Sequence, residues 1–70
     1  KLSYKEQREF EALPLRIEAL EKEIAEIEAF LSDGANYAKG PMRCKSCSER
    51  LPLARAELDG LETRWLELQI

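Results

Sequence analysis

Residues 10–31, FEALPLRIEALEKEIAEIEAFL, decide the fold: Phe10, Leu13, Ile17, Leu20, Ile24, Ile27 and Leu31 recur at alternating steps of three and four. That spacing puts all seven on one stripe of a helix and sets the 3.5-residue period of a coiled coil. Between them stand Glu18, Glu21, Lys22, Glu23, Glu26 and Glu28, which favour helix and belong in water. A stripe of this width cannot be buried by the helix that carries it. A partner helix is required.

Toward the C-terminus the chain supplies one. Gly34 is placed to end the first helix near Ser32 or Asp33 by taking the left-handed conformation. DGANYAKG, residues 33–40, is the tip connection, with Tyr37 expected to fold back over the exposed stripe ends. Pro41 suits the first position of a new helix. A second stripe then follows: Cys44, Cys47, Leu51, Ala54, Leu58, Leu61, Trp65 and Leu68, again at steps of three and four. A short connection makes the two helices antiparallel, so the expected fold is all-α, an antiparallel two-helix coiled-coil hairpin. It spans residues 1–70 as a single domain, with helices over about 4–32 and 41–69.

Opposed residues in such a hairpin have position numbers with a nearly constant sum. A sum of 78 opposes Phe10 to Leu68, Leu13 to Trp65, Ile17 to Leu61, Leu20 to Leu58, Ile24 to Ala54, Ile27 to Leu51 and Leu31 to Cys47. Slipping one heptad, to 71, brings Arg16 near Glu57 and Glu23 near Arg50, but leaves Trp65 facing Glu6. Burying a large apolar side chain is worth about 1.5–3 kcal/mol, against roughly 0.2–1 kcal/mol for an exposed ion pair. The first register is therefore favoured, although it also sets Glu23 beside Glu57.

Toward the N-terminus, Ser3 and Glu6 have the form of a capping box, which starts a helix near Tyr4. Pro14 interrupts the pattern that follows. It either kinks a continuous helix or begins a new one as its first residue. Pro52 should bend the second helix, and Gly60 is a further weak spot there.

Charged residues make up 36% of the chain and aromatic ones 7%, too little apolar bulk for a globular core and natural for an elongated helical element. The chain opens on Lys1, as a piece of a longer protein would. No stretch is apolar enough to span a membrane and no signal-peptide pattern is present, so a soluble protein of a reducing, cytoplasmic compartment is expected. His is absent, which removes the commonest general base and metal ligand. Without a phosphate-binding loop or a nucleophile–base set either, no enzyme activity and no cofactor are expected of these residues.

The net charge of −3 conceals a pattern. Residues 1–10 carry three basic and two acidic side chains, 11–32 two and six, 33–55 five and two, and 56–70 one and four. The middle is basic and its flanks are acidic. Lys39, Arg43, Lys45, Arg50 and Arg55 form this basic tip, with Arg43 and Arg50 one heptad apart on one face. They read either as phosphate-contacting cations or as a solvated coiled-coil flank in which Arg55 pairs with Glu21 across the interface. Lys1, Lys5 and Arg8 offer a second basic patch at the opposite end. Trp65 sits at an apolar stripe position and reads as a core anchor, which leaves Tyr37 as the better aromatic for stacking on a base.

Cys44 and Cys47 form the one CxxC motif. Both fall in heptad register, as small buried hydrophobes would. The alternatives are a redox pair and a metal half-site, since a CxxC near the apex of an antiparallel coiled coil resembles a zinc hook, where two apices supply four thiolates to one zinc.

KLSYKEQREFEALP at 1–14, RIEALEKEIAEIE at 16–28 and RWLEL at 64–68 resemble the C-terminal domain of Uup-type ABC-F ATPases, over essentially the whole chain. Cys44, Cys47 and Pro52 depart from the family's usual pattern. The resemblance implies a non-catalytic accessory module that binds DNA, attached to ATP-binding cassettes of the same polypeptide. Contacts are expected to be with phosphates, with little sequence preference. A coiled coil for protein or ribosome contacts, or zinc-bridged dimerisation through Cys44 and Cys47, are the alternatives.

Overall fold

The computed structural model describes residues 1–69; Ile70, the last residue of the expected domain, lies outside them. Helix α1 runs Tyr4–Ser32. It starts where the capping box places it: Ser3 Oγ accepts from the Glu6 amide at 3.2 Å, and Glu6 Oε1 accepts from the Ser3 amide at 3.1 Å. Two of the orphan donors of the first turn are thereby satisfied. Pro14 lies inside α1, which is continuous from Tyr4, so it does not begin a helix of its own.

The tip differs from the expected connection. Among the described residues no glycine has positive φ, so Gly34 does not end α1 in the left-handed region. Asp33 does that work instead, in an extended conformation with φ −95° and ψ 106°. Its amide and the side-chain amide of Asn36 both donate to the Phe30 carbonyl, at 3.4 and 3.0 Å. Its own carboxylate accepts from the Ala35 amide at 3.0 Å and caps a second helix, α2, over Gly34–Lys39. One residue thus closes α1 and opens α2, because an extended Asp offers its amide backward and its carboxylate forward. Tyr37, on α2, does not fold over the stripe ends; it is 68% exposed.

Helix α3 runs Pro41–Gln69 and contains Pro52 and Gly60. It packs antiparallel along α1, giving a rod of 53 × 15 × 15 Å. Among the described residues every buried one belongs to one of the two stripes: Leu13, Leu20, Ile24 and Ile27 from α1, and Cys44, Ala54 and Leu68 from α3. Leu20, Ile24 and Ala54 form a contiguous cluster on which Leu51, Leu58 and Leu61 pack. The remaining stripe residues are half-buried, since two helices alone leave each stripe open along both edges.

The Leu20, Ile24 and Ala54 cluster with Leu58 and Leu61 upon it fits layers summing to 78. The slipped register would oppose Ile17 to Ala54 and Phe10 to Leu61. Ion pairs along the edges agree, and Glu23–Arg50, expected of the slipped register, forms in this one. Glu23 and Glu9 pair with Arg50 and Arg64 on one edge, where position numbers add to 73, and Glu28 pairs with Arg55 on the other, where they add to 83. The two edge sums straddle 78 equally. Arg50 also comes within 3.9 Å of Glu57, so it stands between the two carboxylates that the register sets side by side. Arg55 pairs with Glu28 rather than with Glu21. Trp65, expected to face Leu13, stacks on Phe10 with centroids 6.1 Å apart and planes within 2°.

Candidate nucleic-acid interface

The edge that carries the sum of 73 explains how the tip cations are presented. Going up the rod, Arg64 forks onto Glu9 at 2.7 and 3.0 Å, and Arg50 forks onto Glu23 at the same two distances. These bidentate bonds hold the Glu9 and Glu23 carboxyls below their ordinary value of 4.5 and raise the Arg50 and Arg64 guanidinium values. The next pair on this edge is Phe30 with Arg43. Here an aromatic ring stands where a glutamate stands in the two pairs below, and the Arg43 guanidinium lies 4.5 Å from its centroid. The ring fixes the guanidinium without cancelling its charge.

Arg43 is therefore an exposed, positioned and unneutralised cation at the end of the rod. Lys39, in the last turn of α2, and Lys45, in the second turn of α3, are exposed beside it in the chain. Neither takes part in a salt bridge among the described residues. Across residues 33–47 three basic side chains face one acid, Asp33, which is occupied in capping. Tyr37 and Met42, 68% and 77% exposed, add apolar surface to the same end.

Arg50 and Arg55 are placed differently. Arg50 is held by Glu23 and approached by Glu57, and Arg55 is bound by Glu28, so both lie along the shaft with their charges locally offset. The structure thus separates the five expected tip cations into three free of carboxylates and two engaged by them. The distinguishing signal was present in the sequence: Phe30 occupies the edge position of Glu9 and Glu23, three heptads and one heptad earlier.

At the opposite end Arg8 donates to the Tyr4 hydroxyl at 3.1 Å and lies 5.9 Å from that ring's centroid. Lys1, Lys5 and Arg8 form no salt bridge among the described residues, but Glu6, Glu9, Glu11 and Glu67 share that end. Trp65 is half-buried and stacks on Phe10, as the core position expected of it requires. Cys44 is buried and Cys47 half-buried, both as free thiols. Among the described residues no group of three or more His, Cys, Asp or Glu could hold a metal ion, and no helix is long and apolar enough to cross a membrane.

The family model for the ABC transporter C-terminal domain matches residues 1–69. Two Haemophilus influenzae proteins, an ATP-binding protein Uup-like and an ATP-binding protein Uup, are each 39% identical to the chain over 69 residues. The match takes in 99% of this chain but only 15% and 11% of those relatives. No solved structure matches it significantly. The chain belongs to the ABC transporter C-terminal domain family.

Proposed function

We propose that this C-terminal domain is a non-catalytic DNA-contacting module of a larger cytoplasmic ATP-binding protein, and that it grips phosphates through Lys39, Arg43 and Lys45. One observation carries the reading: at the tip Phe30 replaces the glutamate found lower on the same edge, which leaves Arg43 oriented but not neutralised. A cation spent on an intramolecular carboxylate has little left for a phosphate, whereas one held over a ring keeps its full charge and loses less side-chain freedom on binding.

Duplex DNA presents a phosphate charge about every 1.7 Å of axis, so a rod end 15 Å wide meets several at once. The tip cations are suited to phosphate oxygens. Such contacts position a protein on the duplex without reading sequence. Lys1, Lys5 and Arg8 form a second, weaker patch, because carboxylates crowd that end. Nucleotide binding and hydrolysis belong to cassettes of the same polypeptide, which this chain does not contain.

Fluorescence anisotropy of a labelled duplex tests the assignment. Changing Lys39, Arg43 and Lys45 together to Ala is expected to weaken binding at low salt by about tenfold or more. The same change at Lys1, Lys5 and Arg8 should weaken it less. Unchanged affinity in the first variant would overturn the tip assignment.

A further inference from the structure

On the edge that carries the sum of 83, one heptad below the Glu28–Arg55 pair, the equivalent positions are Glu21 and Glu62. Two carboxylates face each other where an ion pair would fit. They border an open groove of about 710 Å³, whose lining also includes Glu18, Asp59, Ile17 and Trp65. No basic side chain lines it, and none of its four carboxylates takes part in a salt bridge among the described residues. The Glu9–Arg64, Glu23–Arg50 and Glu28–Arg55 pairs elsewhere on the shaft offset charge, whereas this groove gathers it.

We propose that the groove receives the tip of a second copy of this chain. The tip has the complementary composition: among the described residues Lys39, Arg43 and Lys45 lack carboxylate partners, and Tyr37 and Met42 are exposed apolar side chains close to them in sequence. The groove offers acids at its rim and the Ile17 and Trp65 side chains between them. Each chain thus carries both halves of the contact. Nineteen residues of α3 separate Glu62 from Arg43, about 28 Å at 1.5 Å per residue. Two rods lying side by side and antiparallel place each tip at the other's groove, so a two-fold axis satisfies both contacts at once and the pairing closes. Like charges that repel within one copy become the attraction between two. The pairing requires no nucleic acid and stands apart from the DNA reading, although docking of the tip would exclude phosphates from the same cations.

Sedimentation velocity at low salt, without DNA, tests this. The wild-type chain is expected to dimerise with rising concentration and to dissociate in ~0.5 M salt, where the Debye length falls to roughly 4 Å. E18K/E21K and K39E/K45E should each stay monomeric with unchanged helicity by circular dichroism, since none of these residues is buried or ion-paired. Mixed in equal amounts they should form a dimer again, because the intact acidic groove of K39E/K45E then receives the intact basic tip of E18K/E21K, while the reversed tip meets a groove whose charge the two lysines have neutralised. A wild-type chain monomeric at every concentration would overturn the proposal and leave the groove to a foreign cationic partner. Dimers that persist in both charge-reversed variants, or a mixture that stays monomeric, would overturn it as well.

Discussion

Glu9, Glu23 and Glu6 show how single residues hold this rod. Glu9 and Glu23 are bound by arginine forks from the opposite helix, and Glu6 by the Ser3 cap, first through its backbone amide and then its hydroxyl. All three carboxyls are held below their ordinary 4.5. A carboxyl whose value is lower folded than unfolded adds stability that is fully present above the unfolded value and is lost as pH falls through the folded one. The arginines' raised values act only far above physiological pH. Thermal melts followed by circular dichroism should therefore be flat near neutrality and fall progressively once pH drops below 4.5. Greater stability in acid than at neutrality would show that these forks do not form. The core makes a separate demand: Leu13, 2% exposed, is the most deeply buried large side chain. Leu13→Ala is expected to cost about 2–5 kcal/mol, a loss visible as a lower melting temperature, and an unchanged melt would contradict the packing.

At the scale of elements, both stripes and the helix bounds were legible in the sequence, because a 3.5-residue period with Ser3 and Glu6 before it and Pro41 after the tip has few other solutions. The device that ends α1 was not. Gly34 carries the usual stop signal, but Asp33 and Asn36 satisfy the Phe30 carbonyl first, and the glycine is left free to begin α2. Which cations would be neutralised also escaped a reading by composition, since that depends on edge partners two strides away across the interface rather than on neighbours in the chain. Position sums recover it once the register is known, and Phe30 opposite Arg43 then stands out. Gly60 was read as a weak spot and remains one: it lies inside α3, and a Cβ there would meet nothing within 4 Å. Gly60→Ala should therefore stabilise the hairpin by about 0.5–1 kcal/mol. Chemical denaturation would check it, and a destabilised variant would show that the site is crowded.

Over the whole molecule, charge is sorted along and around the rod. One edge pairs its acids with arginines up to the tip, the tip exposes three cations, and the other edge opens into an acidic groove. A net charge of −3 is no measure of such an object, because a phosphate at the tip meets the local field and not the sum. Distance along the rod, 53 Å in all, is several screening lengths at physiological salt, so the acidic shaft does not cancel the tip. On the proposed reading a duplex is engaged end-on.

The most direct test of that claim is the salt dependence of duplex binding by the wild-type chain, followed by anisotropy. Contact through three cations predicts a slope of log K against log salt of about −2 to −3, and each of Lys39→Ala, Arg43→Ala and Lys45→Ala should reduce its magnitude by about 1. A slope that the three substitutions leave unchanged, or the absence of binding even at low salt, would contradict the account.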